Sequence, residues 1–231
     1  MKTRISIAFL AVAILLVQVA MAQETSHPDG LVAYCFDGDT IKLRDRRVVR
    51  LAGIDAPETA HNDKPAQYYS RQSRELLESL LRGKTVSLEF PGISSKDRHG
   101  RLVANVLLPS GESVNELMVA NGAAFFYPHR DLGPEFQEML AKAQSEAIAE
   151  RKGMWERILS LPLAEQPYVG NKASLRFFPI DCQVAHRLKP RNRENFGTLM
   201  DAFLSGYAPA RMPEGGPACN FWPLEKDMGK N

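Results

Sequence analysis

Three short apolar runs open the readable part of the chain. Residues 31–36 are apolar and extended, Thr40-Ile41-Lys42-Leu43 alternates with period two, and residues 48–54 form the third run. Asp37-Gly38-Asp39 and the polar stretch 44–47 supply turn chemistry between them, which predicts a three-stranded meander. From 65 to 82 the period becomes helical. Ala66, Tyr69, Ser73, Leu76, Leu77, Leu80 and Leu81 share a face, and Gly83 suits a C-terminal cap. Strand alternation returns in 84–90 through Val86, Leu88 and Phe90, and again in 102–108 after a polar loop. Ser113-Val114-Asn115-Glu116 has the form of a capping box and predicts a short helix ending near Gly122. Residues 123–127 are a candidate last strand. Residues 134–152 predict a helix with Phe136, Met139, Leu140, Ala143 and Ala147 on one side.

The resulting order, β-β-β-α-β-β-α-(β)-α, is that of a five-stranded OB-fold barrel with about three helices, an α+β arrangement that often binds oligonucleotides. From about 158 onward prolines interrupt every pattern (Pro162, Pro167, Pro179, Pro190, Pro209, Pro213, Pro217, Pro223), with one short helix expected within 194–204. The expected organisation is therefore a barrel domain over 31–157 and an irregular, proline-rich extension over 158–231.

The first 22 residues differ from the rest. Lys2 and Arg4 precede an apolar run from 5 to 19, and Ala20-Met21-Ala22 offers small residues for cleavage before Gln23. This predicts a secretory signal peptide, a loose leader over 23–30, and a secreted or periplasmic protein with no membrane segment after cleavage. The competing reading is an uncleaved anchor. Losing residues 1–22, with two bases and no acids, takes the formal charge from +2 to zero. Nucleic-acid binding would then have to come from a local cluster. Export would allow disulfides. Cys182 and Cys219 are the natural pair, and Cys35 reads as a core residue.

Candidate chemistry is concentrated in the first hundred residues. Asp37, Asp39 and Asp55 offer hard carboxylate oxygens of the kind calcium or magnesium takes. Ile41 stands where an EF-hand loop needs another Asp or Asn, which excludes that motif. Glu58, stiffened by Pro57, could serve as a general base on a metal-bound water. Arg50 could fork onto phosphate oxygens. It stands five residues before Asp55, so the two share a site only if the strand bends or ends between them. Asp97-Arg98-His99-Gly100-Arg101 places two more guanidiniums and an imidazole in a loop. Each of these has a plain alternative: a solvated turn, a surface Glu, an ordinary ion pair.

Taken together, Asp37-Gly-Asp39-Thr40, Arg50-Leu-x-x-Ile-Asp55-x-Pro57-Glu58 and Asp97-x-x-Gly-Arg101 resemble the three motifs of the staphylococcal nuclease (thermonuclease) family. The resemblance runs from 31 to about 155. It implies an OB-fold and calcium-dependent hydrolysis of single-stranded or locally open DNA and RNA, on the 5′-oxygen side, leaving 3′-phosphates. It also implies roles. Asp39 and Asp55 would hold Ca2+ by carboxylates and Ala56 by its carbonyl. Glu58 would be the general base, and Arg50 and Arg101 would grip the phosphate. Arg98 and Tyr127 are the candidates for further substrate contacts. Ala56 replaces a Thr of the staphylococcal enzyme and His99 replaces a phenol. Two other readings stay open: a non-catalytic OB module binding nucleic acid or protein, and a ββα metal nuclease with His99 as base.

Overall fold

The structure, a computed structural model, describes residues 29–61, 64–211 and 219–228. The expected signal peptide and nearly all of the expected leader lie outside them. In chain order the first part holds β1 (Gly30–Cys35), β2 (Thr40–Leu43), β3 (Val48–Leu51), β4 (Ile54–Asp55), α1 (Ser70–Leu81), β5 (Thr85–Glu89), β6 (Leu102–Leu107), α2 (Val114–Ala120), β7 (Phe125–Phe126), α3 (Pro134–Ala149) and α4 (Met154–Ile158). Strands β1-β2-β3-β6-β5 close into a barrel. All its pairs are antiparallel except β3 with β6. The OB-type α+β fold read from element order is the one observed.

Period-two patterning accounts for the barrel. In β2, Ile41 and Leu43 point inward and Lys42 outward. In β1 the register slips between Val32 and Tyr34, and two consecutive residues face out before Cys35 returns to the core. Cys35 is free and buried, and burial pushes its thiol up to about 12, so it behaves as a small apolar residue. Leu77 and Leu81 of α1, Met118 and Val119 of α2, and Leu140 of α3 cover the barrel's remaining apolar face.

Three expectations about element bounds change. The run 48–54 is not one strand: it breaks at Ala52-Gly53, where Gly53 takes φ +69°. A Cβ on Gly53 would lie 2.6 Å from Leu140 Cδ1, so glycine is required by both conformation and space. Past the break, β4 leaves the barrel and pairs with β7. The stretch 123–127 therefore makes a two-residue strand outside the barrel. The helix expected from 65 starts at Ser70, because Tyr69 adopts a left-handed φ of 73°. Of the expected capping box, Ser113 Oγ accepts from Glu116 N as anticipated.

One buried amide ties these parts together. Asn115 Oδ1 accepts from Val106 N (3.0 Å), and Nδ2 donates to Ala52 O (2.8 Å) and Ala104 O (3.2 Å). It joins α2 to β6 and to the turn that redirects β4. Asn115→Leu, of similar size, leaves Val106 N and Ala52 O without this partner, while Ala104 O keeps its bond from Ala52 N, and is expected to destabilise the fold by about 3 kcal/mol. Urea unfolding measures this, and a loss below about 1 kcal/mol would remove the amide from this role.

The extension is not irregular as expected. Strands β8 (Tyr168–Asn171), β9 (Arg176–Pro179), β10 (Arg193–Phe196) and β11 (Ala208–Pro209) form a sheet in the order β10-β8-β9-β11, with α5 (Gln183–His186) and α6 (Leu199–Leu204) beside it. The prolines that mask this pattern sit where they do no harm. Pro179 ends β9, Pro209 ends the edge strand β11, and Pro162 and Pro190 open single helical turns.

The sheet shares a core with the barrel's helices. Trp155 meets Phe203 edge-on at 4.8 Å, Phe203 meets Phe177 at 5.2 Å, and Phe125 packs on Trp222 at 5.6 Å. Buried Gln144 bridges the two parts, accepting from Phe126 N and donating to Phe203 O. A disulfide joins Cys182 to Cys219. Among the described residues no helix is long and apolar enough to cross a membrane.

Candidate active site

The Asp37–Asp39 turn, the end of β3 and the end of β4 meet on one side of the barrel. Gly38 permits this, since a Cβ there would clash with Ser73 Oγ of α1 and lie 2.8 Å from Ala56 Cβ. Asp39 then binds both neighbouring segments. Its carbonyl accepts from Leu51 N (2.8 Å), and its Oδ2 accepts from Ala56 N (2.7 Å). Oδ1 accepts from Thr40 Oγ1 (2.9 Å) and pairs with Arg50 Nη1.

The break at Gly53 resolves the parity problem between Arg50 and Asp55. Because the chain turns there, Asp55 comes back to face Arg50, and Nη2 donates to Asp55 Oδ1 at 2.6 Å. Arg50 thus bridges the two aspartates in a largely buried position. Burial pulls its pKa below the ordinary guanidinium value. Asp55 and Asp37 oppose that shift, while Arg211 and Arg101 add to it. Burial also holds the Asp37 carboxyl above the usual range, against the pull of Arg50.

Glu58 is fixed through its backbone. Its N–H donates to Gln67 Oε1 (2.8 Å) and its carbonyl accepts from Gln67 N (2.9 Å), leaving the half-exposed carboxylate facing the site. Gln67 in turn forms a bridge with Leu224 of the extension.

Arg101 is positioned by its own loop. Asp97 Oδ1 accepts from His99 N (2.9 Å) and Arg101 N (3.0 Å), and Oδ2 accepts from Arg101 Nε (2.7 Å). Burial works to raise the Asp97 pKa, but the bonds from Arg101 and His99 outweigh it and hold the carboxyl below its ordinary range. Arg50 and Arg101 line the same cleft, of about 520 Å³, with Lys96, Arg98, His99 and Tyr127. Arg98 and His99 are exposed at its rim, with Arg98 Nε donating to His99 Nε2 at 3.1 Å. The region around His99 is a loop leading into the barrel, which gives the ββα reading no support. Tyr127 is half-buried, and Arg176 of the extension lies 3.4 Å over its ring while donating to Pro128 O.

The feature the sequence did not signal is Arg211. Its Nε lies 2.7 Å from Asp55 Oδ2, its Nη2 donates to Ala56 O (2.6 Å), and its Nη1 pairs with Glu58 Oε1. A lone arginine in a proline-rich tail, 155 residues from Ala56, carries no local pattern.

Whether these oxygens suit a cation can be judged from their state here. Among the described residues no three His, Cys, Asp or Glu side chains gather as a metal cluster. The oxygens that converge are two aspartates, a backbone carbonyl and Glu58. Asp55 Oδ2 is buried without an aligned hydrogen-bond donor, and the nearest group is itself a cation. Three carboxylates (Asp39, Asp55, Glu58) face two guanidiniums there. Hard oxygens with excess negative charge fit a divalent ion such as calcium or magnesium.

Comparison with known proteins places the chain in a family. The family model described as staphylococcal nuclease homologue matches residues 48–157. A thermonuclease of Staphylococcus intermedius is 35% identical over 133 residues, covering 55% of this chain and 76% of that protein. The chain belongs to the staphylococcal nuclease family. Another relative of this nuclease-family chain, an uncharacterized endonuclease of Escherichia coli, is 37% identical over 129 residues, 54% of this chain and 76% of its own length. Endonuclease YhcR of Bacillus subtilis is 28% identical over 207 residues, covering 78% of this chain but 16% of that much longer protein. That match reaches beyond the length of the barrel.

Proposed function

We propose that the protein is an exported, calcium-dependent endonuclease that hydrolyses phosphodiester bonds of single-stranded or locally open DNA and RNA. The relatives named endonuclease and thermonuclease support nuclease activity. The observation that carries the reading is one arrangement. Oxygens of Asp39, Asp55, Ala56 and Glu58 are gathered around Arg50 and Arg211, and Arg50 in turn lines a cleft together with Arg101.

In this reading Asp39, Asp55 and the Ala56 carbonyl would hold the ion. Bound there, it would supply Lewis-acid polarisation of the phosphate and a more acidic water. Arg50 and Arg101 stabilise charge gathering on the equatorial phosphate oxygens. Both are fixed before substrate arrives, Arg50 by two aspartates and Arg101 by Asp97, so little reorganisation is needed. Glu58 accepts the proton of the attacking water as the water oxygen bonds to phosphorus and the phosphorus–5′-oxygen bond breaks; the departing 5′-oxygen takes a proton from solvent, leaving a 5′-hydroxyl and a 3′-phosphate. Arg98 and Tyr127 contact the nucleotide along the cleft. Calcium suits this mixed set of carboxylate and carbonyl oxygens better than magnesium, which demands near-octahedral order.

The test is purified protein on single-stranded DNA with calcium or with chelator. Chelation is expected to abolish cleavage and added calcium to restore it. If magnesium restores it equally, the ion assignment is wrong, and activity in chelator would contradict metal dependence altogether.

A further inference from the structure

We infer that Arg211 is a tethered counter-cation: it occupies the position of the divalent ion, competes with it, and thereby sets the protein's metal affinity. The inference rests on the reading of this site as a metal site.

All three guanidinium nitrogens of Arg211 are committed to the oxygens proposed to serve the ion and its water: Nε to Asp55, Nη2 to Ala56 O and Nη1 to Glu58. No other target of this side chain is needed to explain its pose. Its role in the metal-free protein follows from burial. The Asp55 side chain is only 3% exposed, and Arg50 engages just one of its oxygens. A buried carboxylate oxygen without a counter-charge is costly, and Arg211 meets that need. An ion entering the same oxygen set would meet a positive charge within contact distance, so the two occupants exclude one another.

The chain is built so that the side chain can leave while the backbone stays. Strand β11 pairs parallel with β9, and Ala210 N donates to Phe177 O (3.0 Å), with Ala210 itself buried. Arg211 follows directly after this anchor and is about a third exposed. Releasing it requires rotation about side-chain bonds and no unfolding of the sheet. Metal affinity is then lowered by the fraction of molecules in which Arg211 is withdrawn. Arg176 over Tyr127 shows the same extension also reaching a residue that lines the cleft.

Calorimetric titration of calcium chloride into the full chain tests this, using wild type, Arg211→Ala, Arg211→Gln and Asp55→Asn. Both Arg211 variants are expected to bind calcium about tenfold more tightly than wild type. Without calcium they should unfold at lower temperature than wild type, and that difference should vanish at saturating calcium. The glutamine variant guards against a packing defect in the alanine one. Equal calcium affinity in wild type and both variants, with binding lost in Asp55→Asn, overturns the inference and leaves the metal site standing. Weaker binding in the Arg211 variants also overturns it, because Arg211 would then be working with the ion. No calcium binding by any of the four proteins overturns the metal reading itself.

Discussion

Arg50→Ala is expected to reduce turnover on single-stranded DNA by about 10³-fold, the upper range for loss of one fixed oxyanion donor. The expectation follows from position. Arg50 is the only residue that touches both Asp39 and Asp55 by ion pair among the described residues, and it lines the cleft together with Arg101. Its fork is already oriented by two carboxylates, so it contributes charge without reordering. The same contacts give the alanine variant a structural side effect, since two buried aspartates lose a partner. Arg50→Lys separates the two roles. Lysine keeps the charge and lacks the planar fork. It should unfold closer to wild type in urea while remaining at least about 10²-fold slower. Single-turnover rates and urea midpoints on all three proteins measure this. Lysine activity within a few-fold of wild type would show that charge alone suffices and that the fork has no role.

Glu58→Gln is the second large effect, an expected loss of about 10²- to 10⁴-fold in kcat with little change in KM. Glu58 is positioned by backbone bonds to Gln67, which the substitution leaves intact, so the fold should be unaffected by circular dichroism. A base must be unprotonated to act, so wild-type kcat should fall along an acidic limb as pH is lowered. The glutamine variant should lack that limb. A retained acidic limb in the variant would assign it to another group and remove Glu58 from the role of base.

Most of the barrel could be read from period and spacing. Alternation at Ile41 and Leu43, Val86 and Leu88 marks strands with one buried face, and each prediction there depends on residues a few positions apart. The break at Gly53 was not legible, because Leu51, Ala52 and Ile54 continue the apolar run while the reversal depends on a left-handed glycine packed under Leu140 of α3. That break also brings Arg50 and Asp55 together, so the motif was visible before the geometry that makes it work. The sheet of the extension was hidden for a different reason. Its strands are short, its prolines sit at their ends, and its core is completed by Trp155 and Phe125 from the other part of the chain. Residues that act across long sequence separations left no local trace. Asn115 against Ala52 and Arg211 against Asp55 depend on tertiary contact alone.

The central claim is that one cation and two guanidiniums hold the same phosphodiester. A crystal structure of the full chain with calcium and a short phosphorothioate oligonucleotide tests it directly. The expected result is a calcium ion on Asp39, Asp55 and the Ala56 carbonyl, with Arg50 and Arg101 both on the phosphate that the ion contacts. Density placing the ion away from those aspartates, or the two arginines on different phosphates, would contradict the account.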